Sequence, residues 1–375
     1  MKFLSLLLIA VLPLFSLAQS EHYLIVGTYT NGKSEGIYVF KFDSKTGTAK
    51  EWSHVVSSNP SYLAISPNKK IVLAVNENAD TLANSYGGEI SSFSFNSKLG
   101  TLTPINKVSS GGEHPCYVTM DASGKWAIIG NYSSGTISIN YLDGKGTLFP
   151  PNQILKHQGS GPNKARQEAA HVHSTVFSKD FRYVFTPDLG TDTINAYRFD
   201  KSLGKLFATG KNATASSPGG GPRHFEFHPN SKYAYLMEEL TGTVQAFQYT
   251  ATNGSLKSIQ SIVAIDPKDA ETNFSADIHV SPNGKFLYCT NRGVSNTITT
   301  FKIDPATGKL SFVDRIDTQG IYPRNFTIDP SGQFILVANQ KTDEIIVFKI
   351  DTVTGKLKET GTKIPVYNPV CLKWL

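Results

Sequence analysis

The stretch TITTFKID at residues 297–304 has six similar counterparts, and this repetition decides the fold. The counterparts are GIYVFKFD (36–43), EISSFSFN (89–96), TISINYLD (136–143), TINAYRFD (193–200), TVQAFQYT (243–250) and EIIVFKID (344–351). Each version is rich in β-branched and aromatic residues, which favour a pleated strand over a helix. Consecutive versions begin 47 to 57 residues apart, so the chain is built from seven repeats.

The residues around each version complete a unit of four strands. A Gly turn and another short strand follow each version, and Gly suits such turns because they often need a positive φ angle. A strand, a turn and a second strand precede most versions, as in HPCYVTMDASGKWAIIGN (114–131) and YPRNFTIDPSGQFILVAN (322–339). Four antiparallel strands per repeat are typical of a β-propeller blade.

The two ends of the chain supply the parts of one blade. Residues 23–52 contain three strands without a first strand, whereas NPVCLKWL (368–375) is a first strand alone. Joining the two ends closes the ring and leaves no open sheet edge at the seam. The sequence therefore predicts an all-β fold, a seven-bladed β-propeller with four antiparallel strands per blade, in which the C-terminal strand joins the N-terminal blade.

The composition excludes several classes of protein. The chain has 375 residues, of which 39% are hydrophobic and 18% charged, so it can bury a large core and is not disordered. Its 36 basic and 30 acidic residues are dispersed and give a net charge of +6, which argues against nucleic-acid binding. The three cysteines, Cys116, Cys289 and Cys371, cannot form a complete disulfide framework and lack the spacing of a zinc site.

The first residues, MKFLSLLLIAVLPLFSLAQS, have the pattern of a secretory signal. Lys2 gives a positive start, residues 3–17 are an apolar run, and Ala18 follows it as a small residue, as signal peptidase sites require. The run is too short for a stable membrane span. We expect a signal peptide at 1–18 and one propeller domain at 19–375. The mature protein would be exported, periplasmic or secreted, with no membrane span after cleavage.

Polar side chains recur at two places in the repeat that lie on the same face of the disc. The start of strand one and the end of strand two meet at one mouth of the central channel, because the two strands are antiparallel. Ligand sites in closed β-structures prefer such mouths. The candidate catalytic residues there are Glu239, His171, His173 and Arg223, and the candidate substrate-binding residues are Arg292, Arg324, Asn131 and Asn339.

These residue types suit an anionic substrate and a proton transfer. Arg offers a planar fork for carboxylate or phosphate oxygens, and His or a crowded Glu can exchange protons near neutral pH. Hydrolysis of an ester or lactone needs an activated water and a cation for the oxyanion, and this set can provide both. The base could be Glu239, His171 or His173.

Each candidate also has a purely structural explanation. Arg, Glu and Asn at blade ends often brace neighbouring blades, and Glu238 points away from Glu239 because side chains alternate in a strand. His171 and His173 are spaced as a metal pair would be, but no third ligand is evident nearby, so we expect no metal and no other cofactor. The chain has no G-x-S-x-G elbow, which argues against a serine hydrolase.

At these residues the sequence resembles the lactonase family of seven-bladed propellers, which holds propeller-type 6-phosphogluconolactonases and fungal enzymes that lactonise carboxymuconate. The likeness covers residues 22–375 and is carried by GTYT (27–30), GNYSSGTI (130–137), HVHS (171–174), PDLGTD (187–192), GPRHFEFHP (221–229), NRG (291–293), PRNFTIDPSG (323–332) and VANQ (337–340). The resemblance implies that a His of HVHS, Arg223, Glu239 and Arg292 form the active site. Two places differ from the family pattern, since Val172 replaces Pro and residues 294–296 replace His-Asp-Ser.

The resemblance implies a lactonase, most similar to 6-phosphogluconolactonase, that hydrolyses a sugar-acid lactone to the open-chain acid. Its partner would be a small anionic or sugar-acid lactone. Export argues against a phosphorylated substrate, because sugar phosphates are kept inside cells, and favours an unphosphorylated aldonolactone or another cyclic ester. Two alternatives stay open: a carboxymuconate-type cycloisomerase that uses the same residues, and a non-catalytic propeller that binds a ligand or an unidentified protein.

Overall fold

In the computed structural model of the protein, the described residues form seven four-stranded antiparallel sheets. The structure describes residues 21–79 and 87–375, so the predicted signal peptide lies outside the described residues. The seven sheets are the blades of a closed ring, which confirms the predicted β-propeller. Within the part of the chain that the structure describes, no helix is long and apolar enough to span a membrane.

The strands are numbered in chain order. Blade 1 contains β1 (Glu21–Thr28), β2 (Gly36–Asp43), β3 (Thr48–Val56) and β28 (Pro369–Trp374). Blades 2 to 4 contain β4 (Tyr62–Ile65), β5 (Ile71–Asn76), β6 (Glu89–Asn96), β7 (Thr101–Ser109), β8 (Pro115–Met120), β9 (Trp126–Asn131), β10 (Thr136–Leu142), β11 (Leu148–Lys156), β12 (Val176–Phe177), β13 (Tyr183–Asp188), β14 (Thr193–Asp200) and β15 (Lys205–Ala215). Blades 5 to 7 contain β16 (Pro222–Phe227), β17 (Tyr233–Glu238), β18 (Thr243–Thr250), β19 (Ser255–Val263), β20 (Asn273–Val280), β21 (Phe286–Gly293), β22 (Thr297–Ile303), β23 (Leu310–Asp317), β24 (Pro323–Ile328), β25 (Phe334–Asn339), β26 (Glu344–Ile350) and β27 (Leu357–Pro365). Two short 3₁₀ helices, Pro267–Thr272 and Gln340–Thr342, lie in the connections.

The C-terminal strand closes the ring. β28 pairs antiparallel with β1, so that Leu24 lies opposite Trp374 and Val26 lies opposite Leu372. The N-terminal blade thereby receives its innermost strand from the other end of the chain, as the sequence predicted. The seam consequently has a complete backbone hydrogen-bond ladder instead of an open edge.

The repeated stretch forms the third strand of every blade, and it shows where the core lies. In β2, Ile37 and Val39 pack with side chains of blade 2, whereas Phe40 and Phe42 pack with side chains of blade 7. Both faces of the strand are therefore buried, which explains why the stretch is apolar on successive positions. The core consists of layers between neighbouring blades, and each blade depends on two others for its burial.

The innermost strand of blade 4 is the shortest in the described ring. β12 has two residues, and an isolated bridge joins Val172 to Asp188 ahead of it. The backbone N–H of His171 donates to Asp188 Oδ1 at 2.8 Å, and the Ser174 hydroxyl donates to a carbonyl of blade 5 at 2.8 Å. Side-chain hydrogen bonds thus replace part of the ladder where the chain carries His173 to the channel mouth.

Side-chain contacts connect the innermost strands of neighbouring blades around the whole channel. We call these seven contacts the inner hoop. They are His224 with Asp277, Asp277 with Asn325, Asn325 with the Leu372 N–H, Cys371 Sγ with the Leu63 N–H, Tyr62 stacked on Tyr117, Cys116 Sγ with the His173 carbonyl, and Ser174 Oγ with the Arg223 carbonyl. The inner hoop thus links the innermost strands of all seven blades beside the residues that face the mouth of the channel.

Candidate active site

A cavity of about 410 Å³ opens at one mouth of the channel. Most of its lining residues lie at the start of a first strand or directly after a second strand, on the face that the sequence predicted. The lining consists of Tyr29, Glu77, Cys116, Tyr132, Arg166, His173, Glu239, Phe274, Arg292, Tyr322 and Arg324. Of the eight predicted site residues, the cavity wall therefore brings together His173, Glu239, Arg292 and Arg324.

Glu239 is the carboxylate on which the cations converge. Its Oε2 accepts a hydrogen bond from Arg223 Nε at 2.8 Å and lies 2.9 Å from Arg292 Nη2. Its Oε1 accepts a hydrogen bond from Arg166 Nη2 at 2.6 Å. Burial would raise the pKa of this carboxyl, but the charges of Arg292 and Arg223 hold it well below its usual value. Glu239 is therefore ionised at neutral pH, with a guanidinium on each oxygen.

Two of these arginines are fixed by the backbone. Arg292 donates to the carbonyl oxygens of Phe274 and Ser275 at 2.8 and 3.1 Å, and Arg223 Nη1 donates to a carbonyl oxygen at 2.7 Å. Each is 2% exposed. Arg292 faces the cavity, whereas Arg223 lies behind Glu239 and outside the lining. Arg223, which we expected to be catalytic, thus contacts Glu239 from outside the cavity lining.

His173 lies beside Glu239 in the cavity wall. Its Nε2 is 3.9 Å from Glu239 Oε2, and its Nδ1 is 3.9 Å from Cys116 Sγ. Burial, together with the charge of Arg223, holds the pKa of His173 well below its usual value. The imidazole is therefore neutral at neutral pH, and a neutral imidazole can accept a proton.

Tyr29, Glu77 and Arg324 form another part of the wall. The Tyr29 hydroxyl donates to Glu77 Oε2 at 2.9 Å and accepts from Arg324 Nη2 at 2.7 Å. The Arg324 guanidinium also lies over the Tyr29 ring, 5.2 Å from its centroid. Burial raises the pKa of Tyr29, so the phenol stays protonated and keeps donating to Glu77. Arg324 is consequently held in place as a cation that faces the cavity.

His171 lies outside the cavity lining. Its ring stacks on Tyr132 with the centroids 4.5 Å apart. Its Nδ1 is 3.1 Å from the Tyr132 carbonyl oxygen, and its Nε2 is 3.1 Å from Glu168 Oε1. His171 therefore supports a residue of the wall, and the two histidines of the motif have different surroundings.

Asn131 and Asn339, which we expected to bind substrate, lie outside the cavity lining and contact the connection that enters their own blade. Both side chains are buried, and their Nδ2 atoms donate to the carbonyl oxygens of Ser110 and Thr318 at 3.1 and 2.9 Å. Asn76, Glu238 and Asn291 make equivalent bonds to the connection that enters their own blade. The reason is the alternation of side chains, which turns the last residue of each second strand away from the cavity.

After four of these five braces, the next residue faces the cavity. Glu77, Tyr132, Glu239 and Arg292 all occupy this place, and Tyr29 has the same place after β1. Tyr29, Glu77 and Tyr132 were missed among the sequence candidates, although the alternation could have found them. Arg166 lacks such a signal, because it comes from the connection between β11 and β12.

The charges of the site favour an anionic ligand. Four guanidinium groups face two carboxylates, so the site has a net charge of +2 when His173 is neutral; they belong to Arg166, Arg223, Arg292, Arg324, Glu77 and Glu239. A surplus of fixed cations next to a neutral base suits a reaction in which negative charge develops on oxygen. Among residues 21–79 and 87–375, no group of three or more His, Cys, Asp or Glu side chains could hold a metal ion.

Comparison with known proteins gives matches over nearly the whole chain. A family model described as "Lactonase, 7-bladed beta-propeller" matches residues 23–374. A 6-phosphogluconolactonase of Formosa agariphila is 39% identical over 347 residues, which cover 92% of this chain and 96% of that protein. A 6-phosphogluconolactonase of Bacillus subtilis is 35% identical over 351 residues, which cover 93% and 97%.

Solved structures agree with these matches. A putative 6-phosphogluconolactonase from Bacteroides fragilis superposes with a TM-score of 0.90 at 38% identity, covering 96% of this chain and 99% of that one. A periplasmic gluconolactonase from Pseudomonas aeruginosa superposes with a TM-score of 0.89 at 35% identity, covering 95% and 99%. The similarity therefore extends over all seven blades and includes the mouth with the cavity.

Proposed function

The chain belongs to the seven-bladed β-propeller lactonases, and from this premise we propose that it hydrolyses a sugar-acid lactone to the open-chain acid. The observation that carries the proposal is the cavity in which neutral His173 lies among fixed guanidinium groups. Opening a lactone needs a base for the attacking water and positive charge for the oxyanion. Both are present within one cavity wall. The relatives named 6-phosphogluconolactonase, and the solved gluconolactonase, support the substrate class.

In the proposed mechanism, His173 takes a proton from water as the water oxygen attacks the carbonyl carbon of the lactone. The imidazolium that forms lies 3.9 Å from the Glu239 carboxylate, whose charge stabilises it. The bond between the carbonyl carbon and the ring oxygen then breaks, and the imidazolium returns its proton to that oxygen. The products are a carboxylic acid and a hydroxyl group, and His173 is neutral again.

Arg292 and Arg324 are proposed to bind the negative charge that develops on the carbonyl oxygen. Both line the cavity, and both are fixed before a substrate arrives, Arg292 by two backbone carbonyls and Arg324 by the Tyr29 hydroxyl. Donors that are already oriented need no reorganisation when charge appears, which is the main source of such stabilisation. The pair therefore supplies the electrostatic part of the reaction.

Glu239 is a weaker candidate for the base than His173. Its low pKa makes it a poor proton acceptor, and accepting a proton would break its charge-assisted bonds to Arg166 and Arg223. We propose that its role is to hold these guanidinium groups in place and to stabilise the imidazolium of His173. The two functions require Glu239 to stay ionised throughout the reaction.

We also propose that the protein acts after export, in the periplasm or outside the cell. The support is the apolar stretch at 3–17 that ends in small residues, together with the similarity to a periplasmic gluconolactonase. In such a place the substrate is an unphosphorylated sugar-acid lactone, because sugar phosphates are kept inside cells. A lactone of an aldonic or aldaric acid fits this description.

Acid release by the purified mature protein tests the proposed function. The lactone panel consists of D-glucono-1,5-lactone, its 6-phosphate and D-glucaro-1,4-lactone, and the rate in buffer alone is subtracted for each. We expect enzyme-dependent acid release from at least one of them. Rates equal to buffer for the whole panel would contradict the proposal, and conversion of carboxymuconate to its lactone would favour the cycloisomerase instead.

A further inference from the structure

Arg166 differs from the other cations around Glu239 in how it is held. Arg223 and Arg292 donate to backbone carbonyls as well as contacting Glu239. The hydrogen bonds that the structure describes for the Arg166 guanidinium go only to side chains, Glu239 Oε1 at 2.6 Å and the Tyr132 hydroxyl at 3.4 Å. Its side chain is 32% exposed, against 2–3% for Arg223 and Arg292.

The backbone that carries Arg166 is firmly anchored. The fully buried Gln167 anchors the connection between β11 and β12. The Nε2 atom of Gln167 donates to Leu189 O at 2.8 Å and to Asp192 Oδ1 at 2.6 Å. Its Oε1 accepts from the Asn163 N–H at 3.0 Å. The loop thus presents Arg166 at a defined place over the cavity, where its guanidinium contacts side chains, including the Phe274 ring at 5.6 Å from the centroid.

We propose that Arg166 selects the substrate by its charge, exchanging Glu239 for an anionic group at the end of the lactone remote from the reacting carbonyl. This inference rests on the proposed function and names the substrate class, a sugar-acid lactone with a second anionic group. After export that group is a carboxylate, as in the lactone of an aldaric acid, and the phosphorylated lactone serves as the comparison. Arg166 is then a specificity-determining residue, and the chemistry at the carbonyl remains with His173, Arg292 and Arg324.

The exchange is favourable because Glu239 does not lose its charge compensation. When Arg166 turns away, Arg223 and Arg292 stay within 2.9 Å of Glu239 Oε2. The released guanidinium can present two parallel N–H groups to phosphate or carboxylate oxygens, a geometry that a lysine cannot offer. A neutral sugar end gives Arg166 no partner that competes with Glu239. The exchange of Glu239 for a substrate group is therefore favourable only when the substrate has a second anionic group.

The test compares charged and neutral lactones in one matched set of variants. Arg166→Gln removes the charge at the cavity, and Lys164→Gln removes an exposed charge from the same loop, where Lys164 contacts only a backbone carbonyl at 3.2 Å. For Arg166→Gln we expect kcat/KM to fall about 10- to 100-fold more on the anionic lactones than on glucono-1,5-lactone, mainly through KM. Arg166→Lys should recover part of the loss, and Lys164→Gln should behave as wild type on all substrates.

The ratio of kcat/KM between charged and neutral lactones decides the outcome, because it cancels whatever Arg166 does for Glu239. An unchanged ratio in Arg166→Gln would overturn the inference and leave Arg166 as a counter-ion of Glu239. D-Glucaro-1,4-lactone and 6-phosphoglucono-1,5-lactone separate the carboxylate from the phosphate source, since the larger loss identifies the group that Arg166 binds.

Calorimetry with the product acids keeps the inference testable if the wild type hydrolyses none of the lactones. Gluconate, 6-phosphogluconate and glucarate are titrated into wild type and Arg166→Gln. A selective loss of affinity for the two acids with a second anionic group supports the role of Arg166 even without turnover. Equal affinities of wild type and variant for all three acids would refute it, whatever the activity of the protein.

Discussion

Tyr322 has a backbone conformation that side chains of its size seldom adopt. It precedes Pro323 at the entry to blade 7 with φ of 69°. Equivalent residues before proline in other blades also have positive φ, and they are Asn59, His114, Gly221 and Asn368. Gly and Asn enter this region at little cost, whereas a bulky aromatic residue is strained there. The Tyr322 ring lines the cavity and lies 4.9 Å from the Arg292 guanidinium, so the strain is located at the site.

We predict that Tyr322→Asn makes the protein more stable and less active. Relief of the strained φ should raise the free energy of unfolding by roughly 1 kcal/mol, and loss of the ring over Arg292 should lower kcat/KM by roughly three- to tenfold. Thermal melting and lactone kinetics on the same preparation measure both. His114→Asn is the control, because His114 has the same backbone conformation outside the cavity lining. A less stable Tyr322→Asn with full activity would contradict the argument.

His279 gives the fold a dependence on pH. Its Nε2 is 3.2 Å from Asp277 Oδ2, and its Nδ1 is 3.6 Å from Glu226 Oε2. Burial would lower the pKa of His279, but the charge of Asp277 raises it to about 10. A pKa that is higher in the folded than in the unfolded state stabilises the fold fully below pH 6.5, and this stabilisation is lost as pH rises towards 10.

We therefore predict that His279→Gln flattens the alkaline side of the stability profile. The wild type should lose several degrees of Tm between pH 7 and pH 9, whereas the variant should melt lower at pH 6 and change less over the same interval. Thermal melts of both proteins from pH 6 to pH 10 give the comparison. Parallel profiles would show that His279 is not charged in the folded state.

In most blades, two adjacent residues at the end of the second strand have different roles. The last residue of the strand braces the incoming connection, as Asn131 does at Ser110, and the next residue faces the cavity, as Tyr132 does. The same division separates Glu238 from Glu239. We therefore expect that the bracing residue and the residue that lines the cavity can be substituted independently of each other.

We predict that Asn131→Ala destabilises the protein but leaves catalysis intact. Loss of its buried hydrogen bonds to Ser110 and Thr136 should lower the free energy of unfolding by about 1–3 kcal/mol. Because the side chain faces away from the cavity, kcat/KM of the folded protein should stay within about twofold of wild type. Denaturant unfolding and lactone kinetics check the two statements. A large loss of activity at unchanged stability would return Asn131 to the substrate site.

Only those residues of the candidate site that lie at repeat positions were predictable from the sequence. His173, Glu239, Arg292 and Arg324 lie at repeat positions that topology brings to one mouth, so sequence alone could place them there. The alternation of side chains would also have found Glu77, and Tyr132 in place of Asn131, but for Asn339 it gives Gln340, which lies outside the lining. Arg166 could not be found in this way, because it lies in a connection whose course depends on tertiary contacts of Gln167.

The closed ring was predictable from the sequence because the same strand pattern occurs seven times. Each repeated stretch became the third strand of a blade, with bounds that agree to within one residue. The inner hoop, in contrast, joins residues of unlike type such as Asp277 with Asn325, and Cys371 Sγ with the N–H of Leu63. Such contacts could not be predicted from the repeats, because residues of different types form them between each pair of blades.

We predict that the ring does not tolerate loss of the C-terminal strand. Deletion of residues 368–375 removes β28, which pairs with β1 and provides two contacts of the inner hoop through Cys371 and Leu372. The inner edge of blade 1 would be exposed, and exposed strand edges promote aggregation. The truncated protein should melt at least about 10 °C lower than the full chain or be insoluble. A truncated protein that melts like the full chain would refute closure through β28.

In the proposed function, the cavity at the channel mouth opens the lactone with His173 as the base. The two histidines of the motif provide the most direct measurement, because His173 lines the cavity and His171 lies behind Tyr132. With the best substrate of the lactone panel, kcat of His173→Asn should fall by about 10²–10⁴, whereas kcat of His171→Asn should fall by no more than about tenfold. Equal losses in the two variants, or the larger loss in His171→Asn, with both proteins melting like wild type, would contradict the claim.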